Sequence, residues 1–195
     1  METLDIYYDY ASPFAYLASE LLPAFAQRLG VTLCWKPIDL MGLSNYADGL
    51  PYSQVKRRYV AVDAARSAEF HAVPIRVPKP HPVQSGAALR LAHQVRNDSR
   101  FSELHTELFR AAWRDQRDLS SEEVLADCIV AAGGDTDDWL GRARQPEARR
   151  AIEAATAEAE AAGVFGVPSM VIRGELFWGL DSLPALEWRL AESRA

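Results

Sequence analysis

The chain of 195 residues is 49% hydrophobic and 25% charged, an ordinary globular composition that excludes a disordered protein. Its net charge of −6, without any lysine- or arginine-rich block, disfavours nucleic-acid binding, and no apolar run approaches the roughly 18 residues of a membrane span. Acidic residues and no basic segment at the amino terminus predict no secretory signal, so we expect the cytoplasm, with neither nucleic acid nor membrane as a partner.

The first part of the chain predicts a strand, a helix and a second strand. Residues 4–10 alternate and are rich in β-forming side chains, which is typical of a strand. Ser12-Pro13 then opens a helix that a glycine closes, and Pro23 inside it predicts a kink or a break. Residues 31–36 alternate again and predict the second strand.

The middle of the chain is predicted to be helical. Apolar residues at helical spacing predict helices over residues 55–70, 84–96, 101–112 and 148–162. A further helix begins at the capping box of residues 120–123 and stops at the glycine pair 133–134.

The tail returns to a strand pattern. Residues 169–172 and 175–178 flank a turn at Gly174 and predict a hairpin, which a short helix from Ser182 follows. The complete order is β-α-β, a helical insertion and β-β-α, which is the order of a thioredoxin-like fold of the α/β class.

This order also predicts the domain organisation. Residues 1–45 and 163–195 are expected to form a discontinuous thioredoxin-like domain, and residues 46–162 an inserted helical domain.

Cysteine and histidine spacing argues against redox and metal chemistry. Cys34 and Cys128 lie far apart and form neither a CxxC redox pair nor a zinc motif, so we interpret both as small buried apolar residues. The histidines show no metal-ligand spacing, and we predict no metal.

Short motifs spread along most of the chain resemble those of a known family. In chain order they are Ser12-Pro13-Phe14-x-Tyr16-Leu17, Lys56-Arg57-x-Tyr59-x-x-x-Asp63-x-x-Arg66, Val73-Pro74, His81-Pro82 before Ala87-Ala88-Leu89-Arg90, Phe165-Gly166-Val167-Pro168-Ser169 and Phe177-Trp178-Gly179-x-Asp181. Together they resemble the 2-hydroxychromene-2-carboxylate isomerases and the related kappa-class glutathione transferases, on the DsbA-like branch of the thioredoxin fold. The family's His-Pro-Phe-Asn-Pro is His81-Pro82-Val83-Gln84-Ser85 here, and its pocket asparagine has no assigned counterpart.

The resemblance implies glutathione as the cofactor, a small aromatic substrate and a homodimer. It implies glutathione-dependent cis-trans isomerisation of 2-hydroxychromene-2-carboxylate or a related intermediate of aromatic catabolism, in which a thiolate adds to a conjugated carbon, the former double bond rotates and the thiolate leaves. A kappa-class-like glutathione transferase is the nearest alternative, and a non-enzymatic peptide- or partner-binding module on the same fold is another. A DsbA-like disulfide oxidoreductase is disfavoured because Ser12 and Ala15 stand where the redox relatives carry cysteines.

Ser12 has two interpretations. From the residues alone it is a helix N-cap. The resemblance implies instead that its hydroxyl donates a hydrogen bond to the glutathione thiolate and lowers the thiol pKa, with Pro13 and Phe14 beside it in the glutathione site. Because no base lies next to Ser12 in the sequence, we interpret it as a thiolate stabiliser rather than a nucleophile.

The resemblance assigns further residues to glutathione. Val167-Pro168 is expected to be cis, with the Val167 backbone pairing with the cysteinyl backbone of glutathione. The γ-glutamyl end is assigned to Trp178, Gly179, Leu180, Asp181 and Ser182, with Asp181 pairing with the amino group. From the residues alone this stretch is a strand end and a helix cap. Lys56 either pairs with the glycyl carboxylate or is a solvated surface lysine.

The substrate pocket is assigned to Tyr10, His81, Pro82 and Gln84. The aromatic residues near the amino terminus either line a flat apolar pocket or belong to the core, and the sequence leaves both open for Tyr8, Tyr10, Phe14 and Tyr16.

Overall fold

The computed structural model describes residues 2–192, so residues 1 and 193–195 of the predicted thioredoxin-like domain lie outside the described residues. Within this range one sheet contains β1 (Glu2–Tyr8), β2 (Val31–Pro37), β3 (Ser169–Ile172) and β4 (Glu175–Trp178), in the order β2-β1-β3-β4. β1 pairs in parallel with β2 and antiparallel with β3, which pairs antiparallel with β4. This topology confirms the predicted thioredoxin-like α/β fold.

The other main regular elements of the described chain are helices. α1 (Pro13–Leu29) joins β1 to β2, and α8 (Leu183–Glu192) follows β4. Between β2 and β3 lie α2 (Gln54–Phe70), α3 (Gly86–Val95), α4 (Phe101–Trp113), α5 (Glu122–Ala131), α6 (Thr136–Ala143) and α7 (Pro146–Ala161). The sequence pattern did not reveal α6, which is eight residues long and is marked mainly by its cap, Asp135.

Of the kink or break predicted at Pro23, the break is wrong, because α1 continues through this exposed proline, and the kink stays a prediction. A proline in a helix interior costs about 3 kcal/mol, since one backbone hydrogen bond is lost. The buried face of α1 offsets this cost. Leu17 and Leu22 are fully buried, and each fully buried leucine contributes about 1.5–3 kcal/mol.

One continuous apolar core extends from the sheet into the helices. It includes Ile6 of β1, Leu17 of α1, Leu108 of α4 and Ile129 of α5. The division into a thioredoxin-like domain and an inserted helical domain stays a prediction. Within residues 2–192 no helix is long and apolar enough to cross a membrane.

The two cysteines differ in exposure. Cys128 is buried as expected, but the same prediction is wrong for Cys34, which is half-buried because β2 is an edge strand. Burial raises the pKa of both thiols, to about 11 for Cys128, so both are protonated near neutral pH.

Candidate active site

Ser12 caps α1 and also reaches the segment that precedes β3. Its backbone is extended (φ −96°, ψ 123°), and its Oγ accepts a hydrogen bond from the Ala15 N–H at 3.2 Å, as an N-cap does. The hydroxyl donates to the Val167 carbonyl oxygen at 3.4 Å. That distance is well beyond the usual O–H···O separation of about 2.7–2.8 Å, so this proton is only weakly held.

The first turn of α1 is suited to an anion. The first N–H groups of a helix have no intrahelical acceptor, and the helix dipole places partial positive charge there. Pro13 carries no N–H, which leaves the N–H of the partly buried Phe14 beside the Ser12 hydroxyl. No acidic side chain lies in this turn to compete with an incoming anion.

The Val167-Pro168 peptide bond is cis, which confirms the prediction. Neighbouring hydrogen bonds hold this segment on both sides. Asn45 Nδ2 donates to the Phe165 carbonyl at 2.9 Å, and the Gly179 N–H donates to the Pro168 carbonyl at 2.9 Å. The Val167 backbone is therefore fixed directly opposite the Ser12 cap.

Aromatic side chains connect Lys56 to this segment. Lys56 Nζ lies 4.1 Å from the centroid of the Tyr52 ring, and the Tyr52 and Tyr46 hydroxyl oxygens are 3.5 Å apart. A Cβ atom placed on Gly166 would lie 3.6 Å from the Tyr46 hydroxyl and 2.9 Å from Trp178 Nε1. Trp178 and Tyr46 thus lie against Gly166, next to Val167, and Lys56 is connected to Tyr46 through the Tyr52 ring.

The turn after β4 leaves Asp181 exposed. A short 3-10 turn, Leu180–Ser182, begins after Gly179, and no side chain caps it. Ser182 Oγ donates back to the Gly179 carbonyl at 2.7 Å. The Asp181 carboxylate is therefore presented to solvent rather than used as a cap of this turn.

The assignment of Tyr10 to an open substrate pocket is corrected by the structure. Its side chain is fully buried, and its hydroxyl lies 3.4 Å from that of Tyr8 and 3.3 Å from His105 Nδ1. Tyr8, Tyr10 and Tyr16 all belong to the core because they face the helices packed on the sheet, whereas Phe14 is only partly buried.

The other residues assigned to the substrate pocket lie in the loop between α2 and α3. His81, Pro82 and Gln84 are exposed there. Among the described residues, no hydrogen bond or aromatic ring contact joins any of them to Ser12 or Val167. Their role in a pocket stays a prediction.

Sequence reasoning missed Asp9, whose side chain stabilises the loop between β1 and α1 that ends at Ser12. Asp9 is 1% exposed, and its carboxylate accepts hydrogen bonds from the Ala11 and Leu40 N–H groups, both at 2.9 Å. Burial raises the pKa of Asp9, and hydrogen bonds from Ser85 and these two backbone groups oppose that rise. A lone acidic residue between two tyrosines was the available signal in the sequence.

Comparison with known proteins places this geometry in a family. The model of the DSBA-like thioredoxin domain matches residues 3–191, and the chain belongs to this family. More specifically, the chain is 28% identical to a 2-hydroxychromene-2-carboxylate isomerase of Sphingobium xenophagum over 190 residues, covering 95% of this chain and 96% of the relative. It is 22% identical to glutathione S-transferase kappa 1 of Rattus norvegicus over 205 residues, covering 97% and 91%.

Solved structures give the same result. A 2-hydroxychromene-2-carboxylate isomerase matches with a TM-score of 0.88 and 26% identity, covering 97% of this chain and 95% of that one. The cytosolic disulfide reductase DsbM of Pseudomonas aeruginosa, solved with GSH, matches with a TM-score of 0.67 and 17% identity, covering 98% of both chains, which shows a shared fold. The resemblance found in the sequence motifs is confirmed.

Proposed function

We propose that this protein is a glutathione-dependent enzyme that isomerises 2-hydroxychromene-2-carboxylate or a related aromatic acid. The observation that carries the proposal is the Ser12 hydroxyl at the amino terminus of α1, opposite the Val167 backbone. Similarity over nearly the whole chain to 2-hydroxychromene-2-carboxylate isomerases supports the choice of reaction.

The residues present fit glutathione. Its thiolate requires hydrogen-bond donors, and the Ser12 hydroxyl and the Phe14 N–H both lie at the positive end of α1. When bound, glutathione supplies a sulfur nucleophile that can add reversibly to a conjugated carbon of the substrate. The Ser12 proton, held at 3.4 Å by Val167, can turn toward the sulfur without breaking a strong hydrogen bond.

Ser12 acts as a donor rather than as a nucleophile in this proposal. Among residues 2–192, the hydrogen-bond partners of its hydroxyl are the Ala15 N–H and the Val167 carbonyl. Its backbone N–H and carbonyl bond only to backbone groups of neighbouring residues. A serine hydroxyl requires an adjacent base to become a competent nucleophile, and in the described range neither a histidine nor a carboxylate is hydrogen-bonded to the Ser12 Oγ. Donation of a hydrogen bond to a thiolate favours the charged form and lowers the thiol pKa.

The other residues assigned to glutathione would each hold one part of the tripeptide. We assign the cysteinyl backbone to Val167, the γ-glutamyl amino group to the exposed carboxylate of Asp181, and the glycyl carboxylate to Lys56. Trp178 is 45% exposed and lies beside Gly166, where it can contact the bound tripeptide. Exposed ion pairs contribute about 1 kcal/mol or less, so we expect the backbone pairing to set the position of the tripeptide.

A kappa-class-like glutathione transferase is the second candidate. It is favoured by the similarity to glutathione S-transferase kappa 1 and would use the same donors. The two activities differ only in whether glutathione is released unchanged or leaves attached to the product. A disulfide oxidoreductase is disfavoured because Ser12 and Ala15 replace the cysteine pair.

A spectral assay with 2-hydroxychromene-2-carboxylate, with and without glutathione, tests the proposal. We expect isomerisation that requires glutathione, with free glutathione recovered in full at the end. A covalent glutathione adduct as the product would favour the transferase instead. Absence of turnover together with no retention on immobilised glutathione would contradict both enzymes and leave the partner-binding module. The homodimer stays a prediction that sedimentation can test.

A further inference from the structure

The outward side of α2 carries a stripe of large apolar side chains. The stripe consists of Val55, Tyr59, Val62 and Phe70, all of them exposed. They are separated by one or two helical turns, which places them on one side of the helix. Phe70 is 82% exposed and Val55 is 76% exposed, the highest values among the large apolar side chains of the described chain. Contiguous exposed apolar surface of this kind is typical of an interaction site.

The stripe is not the side by which α2 packs onto its own chain. The buried residues of α2 are Ala64 and Ala68. At about 3.6 residues per turn, Ala64 follows Val55 by about two and a half turns, so it lies on the opposite side of the helix. The helix therefore contacts the rest of the chain through small alanine side chains and presents its larger apolar side chains to solvent.

Two charged side chains border the stripe. Arg58 lies near its beginning and Glu69 near its end, about three turns later, so both lie on the same edge of the stripe. Within residues 2–192 the ion pair on α2 joins Arg66 and Asp63. The charges of Arg58 and Glu69 have no such partner there. One edge of the stripe thus carries an unpaired positive charge at one end and an unpaired negative charge at the other.

A second α2 that runs in the opposite direction matches the apolar part of this surface. Val62 lies at the middle of the stripe, and we place the twofold axis there. Val55 of one copy then lies beside Phe70 of the other, which covers the two most exposed apolar side chains. Tyr59 lies beside Arg66 of the other copy, where the guanidinium can stack on the aromatic ring.

The same arrangement pairs the charges. Because the helices run in opposite directions, Arg58 of one copy faces Glu69 of the other, and this pair occurs twice in each dimer. A parallel arrangement would place each charge beside its own counterpart, and like charges repel. An interface with twofold symmetry requires a self-complementary surface of this kind. The charges therefore favour a second copy of this chain, in antiparallel orientation, as the occupant of the stripe.

We propose that α2 binds α2 of a second copy of this chain, antiparallel and through this stripe. α2 has 17 residues and is about 26 Å long. One face of such a helix, about 10 Å wide, is smaller than the roughly 800 Å² that each partner buries in a standard interface. We therefore expect a reversible dimer with a micromolar dissociation constant. The pairing requires no glutathione, so it is independent of the isomerase activity.

Sedimentation equilibrium over micromolar concentrations tests the location of the interface. We expect Val55→Ser to weaken dimerisation about tenfold, because each dimer loses this apolar side chain twice. The matched control is Val130→Ser, since Val130 of α5 is 67% exposed and lies outside the stripe, and it should dimerise as the parent does. Circular dichroism verifies that both variants fold, and Phe70→Ser replaces Val55→Ser if the latter does not.

Charge reversal tests the orientation of the two helices. Arg58→Glu and Glu69→Arg should each weaken dimerisation about tenfold, because each places like charges opposite one another twice. The two substitutions combined should restore the affinity of the parent. Arg57→Glu changes the same charge on the side of α2 that faces away from the stripe and should have little effect.

Cross-linking tests the position of the twofold axis. Under mild oxidation Val62→Cys should form a disulfide between two copies, because the axis brings the two residues together. Val55→Cys should not, since the two copies of residue 55 lie about 20 Å apart at opposite ends of the helix pair. The parent, which retains Cys34 and Cys128, gives the background of this experiment.

A parent that is monomeric throughout the micromolar range would overturn the proposal. So would a dimer that Val55→Ser and Val130→Ser weaken equally, because its interface would lie elsewhere. Failure of the combined charge reversal to restore dimerisation, or cross-linking of Val55→Cys in place of Val62→Cys, would contradict the antiparallel arrangement.

Discussion

The hydroxyl of Ser12 lies 3.4 Å from the carbonyl oxygen of Val167, although the two residues are 155 positions apart in the chain. The antiparallel pairing of β1 with β3 produces this proximity, because Tyr7 is opposite Ser169 in the register. The chain leaving β1 toward Ser12 and the chain entering β3 from Val167 therefore meet at one end of the sheet. A helix cap and a backbone edge are brought together there, and this pair is the centre of the proposed site.

Asp9→Ala should destabilise the protein by roughly 3 kcal/mol, since the Ala11 and Leu40 N–H groups lose their acceptor, and each buried unsatisfied donor costs about 1–3 kcal/mol. Urea unfolding measures the change. Asp39→Ala is the matched control because Asp39 is exposed and accepts only from the nearby Met41 N–H among its side-chain bonds, at 3.0 Å. Equal losses in the two variants would contradict the supporting role of Asp9.

Gly166→Ala should displace the Trp178 indole, because a Cβ atom at residue 166 would lie 2.9 Å from Trp178 Nε1. We expect a shift of the Trp178 indole N–H resonance and a loss of about 1–3 kcal/mol of stability from overpacking. Gly141→Ala is the control: nothing lies within 4 Å of its Cβ position, and alanine in α6 should stabilise the protein by about 0.5–1 kcal/mol. An unmoved Trp178 resonance in Gly166→Ala would contradict this prediction, because it would show that the backbone around residue 166 moves and the indole does not.

His105 predicts a specific pH dependence of stability. Its folded-state pKa of about 3 lies below the unfolded value of about 6.5, so the unfolded state binds more protons between these values. The contribution of the neutral imidazole to the free energy of unfolding is fully present above pH 6.5 and is lost as the pH decreases toward 3. From pH 6.5 to 4.5 the parent should lose roughly 2 kcal/mol more than His105→Phe, as measured by urea unfolding. Parallel pH profiles for the two proteins would contradict a buried neutral imidazole.

Local patterns in the sequence predicted the strands and most helices because each carries its own periodicity and caps. Ser12-Pro13 marks the start of α1, and the turn at Gly174 marks the hairpin of β3 and β4. The break considered at Pro23 does not occur because the packing of the buried face of α1, which a local pattern does not report, outweighs one lost hydrogen bond.

Contacts between distant segments could not be predicted in the same way. The resemblance to a family placed Ser12 and Val167 in one site, but the residues alone gave no reason to join them. Asp9 and Tyr10 show the opposite problem: they are adjacent in the sequence, after the end of β1, but their side chains lie in different environments. The tyrosine lies in the core beside His105, and the carboxylate binds backbone donors of two loops.

Ser12→Ala should slow glutathione-dependent turnover about 10²–10³-fold near neutral pH, the usual effect of removing one preorganised donor to negative charge. Loss of the N-cap alone would cost roughly 1 kcal/mol of stability and leave the rate per folded molecule nearly unchanged. Comparing the rate with the melting temperature of the same variant separates these effects. Glutathione affinity should decrease much less than the rate, because Val167, Asp181 and Lys56 remain.

The most direct test of the account is the pKa of the thiol in bound glutathione, followed through the ultraviolet absorbance of its thiolate. We predict that the parent lowers this pKa below the value in solution and that Ser12→Ala raises it again. Ser19→Ala removes another buried hydroxyl from α1, one that donates to the Tyr16 carbonyl, and should titrate as the parent does. An unshifted thiol pKa in the parent, or the same shifted pKa in Ser12→Ala, would contradict Ser12 as the stabiliser of the thiolate.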